Sequence, residues 1–124
     1  MPKSVVHEVL VVEDDPDLRE GLAFFIERWG RAVVTAANGR EALERLDQMV
    51  GLPCMIILDL TMPEMDGWEL RRSLLERPAF ADVPVLLVSG IADLDEAAKA
   101  LSAVAYLRKP VDVSELSRLV DAHC

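Results

Sequence analysis

Three short runs of consecutive apolar residues punctuate the chain: Val9 to Val12, Met55 to Leu58 and Val85 to Val88. Unbroken aliphatic runs of this length suit strands buried on both faces, as in a parallel sheet. Two weaker runs, Ala32 to Ala37 and Val104 to Leu107, predict further strands. Between the runs the apolar period becomes helical. Leu18, Leu22, Phe25, Ile26 and Trp29 fall at i, i+4, i+7, i+8 and i+11, one stripe of a helix that Pro16 opens and Gly30 caps. Leu43, Leu46 and Val50 mark a second helix, and Leu70 and Leu74 a third that Pro78 ends. Leu94, Ala97, Ala98 and Leu101 mark a fourth, and Leu116, Leu119 and Val120 a fifth.

Four helix starts carry a capping box: Asn38 with Glu41, Asp66 with Glu69, Asp93 with Glu96, and Asp112 with Glu115. Asp15, just before Pro16, reads as the N-cap of the first helix. Five strands alternating with five helices through short loops predict a doubly wound (βα)5 domain of the α/β class, with a parallel sheet and helices on both faces.

Composition narrows the picture. With 124 residues the chain fits one domain, residues 1–124, and 52% hydrophobic residues suffice for a core. A net charge of −9 argues against direct nucleic-acid or membrane partners, whose phosphates attract Lys and Arg clusters. Met1 to His7 lacks a signal-peptide core, and no stretch reaches the length of a membrane span. Cys54 reads as a small buried hydrophobe and Cys124 as a frayed end, since two cysteines make neither a disulfide framework nor a zinc site. The expectation is a reduced, cytoplasmic protein.

In an open parallel sheet, ligands bind beyond the carboxyl ends of the strands. Glu13, Asp14 and Asp15 follow the first run, Asp59 the third, Ser89 the fourth and Lys109 the fifth, so all four groups share one edge. Carboxylates converging there repel one another unless a cation intervenes, and all-oxygen ligands without His or thiolate favour Mg²⁺. Ser89 is a hydroxyl donor and Lys109 a mobile ammonium, both suited to phosphoryl oxygens. Asp59, alone at the end of the central run, is the candidate nucleophile for an acyl phosphate.

Val-Val-Glu13-Asp14-Asp15-Pro16, Leu58-Asp59-Leu60-Thr61-Met62-Pro63 leading to Asp66-Gly67, Val88-Ser89-Gly90, and Tyr106-Leu107-Arg108-Lys109-Pro110 together resemble the receiver domains of two-component response regulators. The resemblance covers nearly the whole chain. It implies the flavodoxin-like strand order 2-1-3-4-5, with Asp59 as phosphoacceptor for a histidine kinase or phosphotransfer protein. It further implies Mg²⁺ or Mn²⁺ held by Asp14, Asp59 and the Thr61 backbone carbonyl, with Glu13 acting mainly through water. Ser89 would be the switch hydroxyl, Tyr106 the aromatic that rotates behind it, Lys109 the phosphoryl-binding lysine, and Lys109-Pro110 a cis peptide. An unknown downstream protein would meet the fourth helix, fifth strand and fifth helix, and phosphorylation could drive dimerisation. Ser102 stands where many relatives have Gly, and the short stretch from Ser89 to Lys109 leaves the fourth helix's position open.

Plainer roles compete at several positions. Tyr106 also reads as edge-strand packing, Trp29 and Trp68 as packing against the sheet, and Arg71 and Arg72 as a solvated helix face. Met62, Met65, His7 and His123 have no metal-binding company. The rival functions are an Mg²⁺-dependent hydrolase with an aspartyl-phosphate intermediate, a flavin or nucleotide module, and a constitutive docking module. Thr61 stands where such a hydrolase needs a second acid, and neither GxxxxGK[ST] nor GxGxxG occurs. A phosphorylation-controlled switch, not a turnover enzyme, is the leading reading. The sequence leaves open whether it stands alone or belongs to a longer chain.

Overall fold

The computed structural model describes residues 5–124, with side chains from His7 onward. The reading of the first residues as unlike a signal peptide falls largely on residues 1–4, which lie outside the described residues. Strands β1 (Val5–Val12), β2 (Ala32–Ala36), β3 (Leu52–Leu58), β4 (Val85–Ser89) and β5 (Ala105–Arg108) alternate with five helices. These are α1 (Pro16–Arg28), α2 (Gly39–Gln48), α3 (Gly67–Leu75), α4 (Leu94–Ala100) and α5 (Val113–His123). The strands form one parallel sheet in the order β2-β1-β3-β4-β5, as expected.

Alternation along the strands divides the core into two layers. Val9, Val11, Ile57, Leu86 and Val88 pack with Leu22 and Ile26 of α1 and Leu116, Leu119 and Val120 of α5. On the other face, Leu10, Ile56, Leu58 and Leu87 meet Ala42 and Leu46 of α2, Leu70 and Leu74 of α3, and Leu94 and Ala97 of α4. Both faces are covered, which is why the central strands read as unbroken apolar runs. In register, Val12 lies beside Ala36 and Leu58, and Leu58 beside Leu87, so the strands end together and their following residues share one edge. β1 and β3 start earlier than the apolar runs, through His7 and Glu8 and through Pro53, with a register shift between Val6 and Val9.

Local chemistry sets the helix ends. The carboxylate of Asp15 accepts from the backbone N–H of Asp17 and Leu18, and Gly30 lies at φ 89°, the left-handed conformation of a helix stop. Asn38, Asp66 and Asp112 cap α2, α3 and α5 as expected. Asp93 does not cap α4. Its ψ of 44° departs from the extended backbone of the other three, and its side chain makes no capping hydrogen bond. The fourth helix is seven residues long.

Four other expectations are corrected. Val50 is not part of α2, which ends at Gln48, and it stands 97% exposed. Phe25 does not belong to the buried stripe of α1: it is 36% exposed and stacks on half-buried Trp29, beside the more exposed Phe24. Arg71 is no solvated residue. It is 3% exposed, and its Nε and Nη2 donate to the carbonyls of Leu101 (2.8 Å) and Ser102 (3.2 Å). The negative end of α4 thereby takes the place of a carboxylate partner, while burial pushes the guanidinium pKa down. Ser102 sits at φ 54°, the backbone region that favours glycine and that explains why glycine suits this position. Finally, Cys54 and Cys124 are joined in a disulfide, correcting both the frayed end and the reduced pair.

Candidate functional site

The backbone brings the first and third strand ends together. The N–H of Asp59 donates to Val12 (3.0 Å) and that of Glu13 to Ala36 (3.0 Å), which extends the sheet by one residue and draws both acids into its edge. Glu13 and Asp59 are 1% and 3% exposed, whereas Asp14 points to solvent. These three offer carboxylate oxygens within 4.8 Å of one another. Lys109 reaches in from the end of β5, with Nζ 2.9 Å from Glu13 Oε1 and 3.2 Å from Asp59 Oδ2. Its own N–H donates to the carbonyl of Ser89, and the peptide to Pro110 is cis.

The remaining sequence candidates lie around this group. The Thr61 N–H donates to Asp59 Oδ1 at 3.2 Å. Ser89 is buried at 1% exposure, and its Oγ accepts from the N–H of Ile91. Tyr106 is 42% exposed and lies beside Asp95, Ala98 and Lys99 of α4. The contacts therefore join Glu13, Asp59 and Lys109 directly, with Asp14 alongside, while Ser89 and Tyr106 sit in the neighbouring β4 and β5.

Three residues that sequence reasoning passed over shape the site. Arg19, one turn into α1, donates from Nη1 to the carbonyls of Glu13 and Asp14 and fixes the acidic loop. Arg108 donates to the carbonyls of Ile91 and Ala92, tying the loop after β4 to β5. Gly67 packs its backbone against that of Asp59 and Leu60 so closely that a side chain would collide. A basic residue one turn after an acidic loop was a signal available for Arg19; the other two depend on folding.

Burial dominates the electrostatics. It pushes the Glu13 carboxyl up to about 7, assisted by the charge of Asp59 and opposed by Lys109 and the Asp15 N–H. For Lys109, burial alone lowers the pKa, but the hydrogen bond to Glu13 and the charges of Asp59 and Glu13 outweigh it, so the ammonium stays above its usual value. An ammonium held by two carboxylates is a cation fixed where anionic oxygens would arrive.

The model of the response regulator receiver domain matches residues 9–121. The chain belongs to this family. An uncharacterised 14.6 kDa protein of Leptolyngbya boryana is 40% identical over 119 residues, covering 94% of this chain and 89% of that protein. The C4-dicarboxylate transport transcriptional regulatory protein DctD of Pseudomonas aeruginosa is 37% identical over 113 residues, or 88% of this chain, which spans only 23% of the regulator. The solved receiver domain of a signal transduction histidine kinase from Syntrophus aciditrophicus superposes with a TM-score of 0.82 at 34% identity, covering 94% and 89% of the two chains. As a receiver domain of two-component response regulators, the chain belongs to phosphorylation-dependent signalling. No helix among the described residues is long and apolar enough to cross a membrane.

The receiver's acids fit a hard divalent cation. Glu13 Oε1 is buried with the Lys109 ammonium 2.9 Å away, a position that already favours a cation, and the whole donor set is oxygen. The raised Glu13 pKa gives a pH dependence with a definite sign. The native state holds more protons than the unfolded chain between pH 4.5 and about 7, so Glu13's contribution to metal-free stability is lost as pH rises through that window. A cation favours the carboxylate and reverses this preference. Calorimetry in buffers of different ionisation heat should therefore show proton release on Mg²⁺ binding near pH ~6, fading by pH ~8, and Glu13→Gln should remove it.

Proposed function

We propose that this receiver accepts a phosphoryl group on Asp59 and relays that event through its β4, β5 and α4 elements. One observation carries the reading: the buried Asp59 carboxylate ends the central strand with Lys109 Nζ at 3.2 Å and two further acids beside it. An Asp59 oxygen attacks phosphorus in line, the new P–O bond forms as the bond to the donor's imidazole nitrogen breaks, and that nitrogen leaves with its electron pair. Lys109 neutralises charge on the transferring oxygens. Mg²⁺ or Mn²⁺ bound by Asp14, Asp59 and the Thr61 carbonyl, with Glu13 behind them, would supply further neutralisation and orientation. Water attack on phosphorus returns Asp59 to its carboxylate.

Ser89 would give its hydroxyl to the arriving phosphoryl group, and rotation of Oγ toward that group would end its bond from the Ile91 N–H and move the loop that Arg108 holds. Tyr106, exposed beside α4, reports the movement to the surface. The donor is a histidine kinase or phosphotransfer protein acting in the cytoplasm. The output is a protein that meets α4, β5 and α5, or a second phosphorylated copy. The test is incubation with a small acyl phosphate, followed by borohydride reduction and peptide mass mapping. Mg²⁺-dependent uptake of one phosphoryl group at Asp59, abolished by chelator, is the expected result. No uptake, or uptake at another residue, would overturn the proposal.

A further inference from the structure

We infer that Cys54 and Cys124 form a reversible thiol–disulfide site that latches the end of α5 to the start of β3. Their Cα atoms are 5.0 Å apart although 70 residues separate them in sequence, a spacing that a disulfide spans without backbone movement. Helical geometry aims Cys124 at this point. It lies at i+4 from Val120 and i+8 from Leu116, both fully buried, and its N–H donates to the Val120 carbonyl, so it continues the inward stripe of α5. The half-buried Cys124 packs against the core layer that contains Cys54, itself 6% exposed. The ion pair of Arg31 with Asp121, at 3.1 Å, ties the same turn of α5 to the segment after α1.

The difference in exposure orders the chemistry. Starting from the dithiol, the Cys124 thiolate attacks one sulfur of a small-molecule disulfide and expels a thiolate, giving a mixed disulfide. The Cys54 thiolate then attacks Cys124 Sγ and expels the second thiol. Two protein thiols and one small disulfide become one protein disulfide and two small thiols; the protein loses two electrons and two protons, and the small disulfide gains them. A dithiol reductant reverses both steps.

Cys54 lies at the end of β3 opposite Asp59, five residues or roughly 16 Å away along the strand. The latch thus constrains α5 without reaching the acceptor. To test it, the full chain is equilibrated across glutathione redox buffers, quenched with an alkylating reagent and examined by mass spectrometry and amide hydrogen exchange. The expected result is a monomer lighter by two hydrogens, a linked peptide pair containing Cys54 and Cys124, and exchange over residues 119–124 slowed at least ~10-fold on oxidation. In Cys54→Ser the slowing should be lost while Cys124 takes up a mixed disulfide. Phosphoryl uptake should be equal in the two redox forms, and the thiol readouts stand even if uptake fails. Both cysteines alkylated at every buffer poise, a disulfide only between two copies, or unchanged exchange on oxidation would each overturn the latch.

Discussion

Gly67→Ala is expected to destabilise the receiver by about 3 kcal/mol and to slow phosphoryl uptake about 100-fold, although residue 67 offers no group to the chemistry. A Cβ at this position would lie 2.2 Å from the carbonyl oxygen of Asp59 and 2.7 Å from the Cα of Leu60. Both obstacles are backbone, so no rotamer change relieves the collision. The N–H of Gly67 also donates to the Leu60 carbonyl at 3.1 Å, which fixes the start of α3 against the acceptor loop. To admit a methyl group, α3 must retreat or Asp59 must shift, and a shift of an ångström is enough to spoil an aligned transfer. Gly90→Ala supplies the contrast. A Cβ there meets nothing within 4 Å, and the change should stay within ~0.5 kcal/mol. Urea midpoints and the initial rate of uptake from an acyl phosphate measure both effects. Equal behaviour of the two variants would show that the backbone at Asp59 has slack.

The contrast between these glycines marks what a sequence carries and what it withholds. Apolar runs and helical stripes are local periodicities, so the β4 core and the α5 stripe were legible without coordinates. The parallel sheet then placed Glu13, Asp59, Ser89 and Lys109 on one edge, because residues following aligned strands must meet there. The site's constituents followed from topology. What escaped were relations between distant segments. Cys54 and Cys124 are remote in sequence, and nothing local announces that the last turn of α5 ends over the start of β3. Arg71 had a local signal, since it adjoins Leu70 and lies three residues before Leu74, both fully buried. Its charge made solvation the natural reading, yet carbonyls at the end of α4 accept from its Nε and Nη2. At Asp93 the motif was present but the backbone was not extended, so the cap did not form. In Phe25 the stripe continued beyond what the sheet covers.

Lys109→Gln is expected to separate two properties that a single damaged site would lose together: phosphoryl uptake should fall by ~10²–10³ while divalent-cation affinity rises about tenfold, or about 1.4 kcal/mol. The lysine lies against the oxygens proposed to serve a metal, 2.9 Å from Glu13 Oε1 and 3.2 Å from Asp59 Oδ2. Before transfer it competes for those carboxylates, so its removal leaves two buried acids with greater need of another cation. Its side chain is 30% exposed, and solvent screening keeps the gain modest. During transfer its role changes, because the charge on the phosphoryl oxygens has then lost its ammonium and a neutral amide replaces it poorly. Removing Lys109 also removes an influence that lowers the Glu13 pKa, so the affinity should be measured well above pH 7, with the carboxylate ionised. Metal titration by calorimetry and initial uptake rates at saturating Mg²⁺ separate the two properties. Parallel loss of affinity and uptake, with a lowered urea midpoint, would instead make Lys109 a prop of the fold; unchanged uptake would remove it from the transfer step.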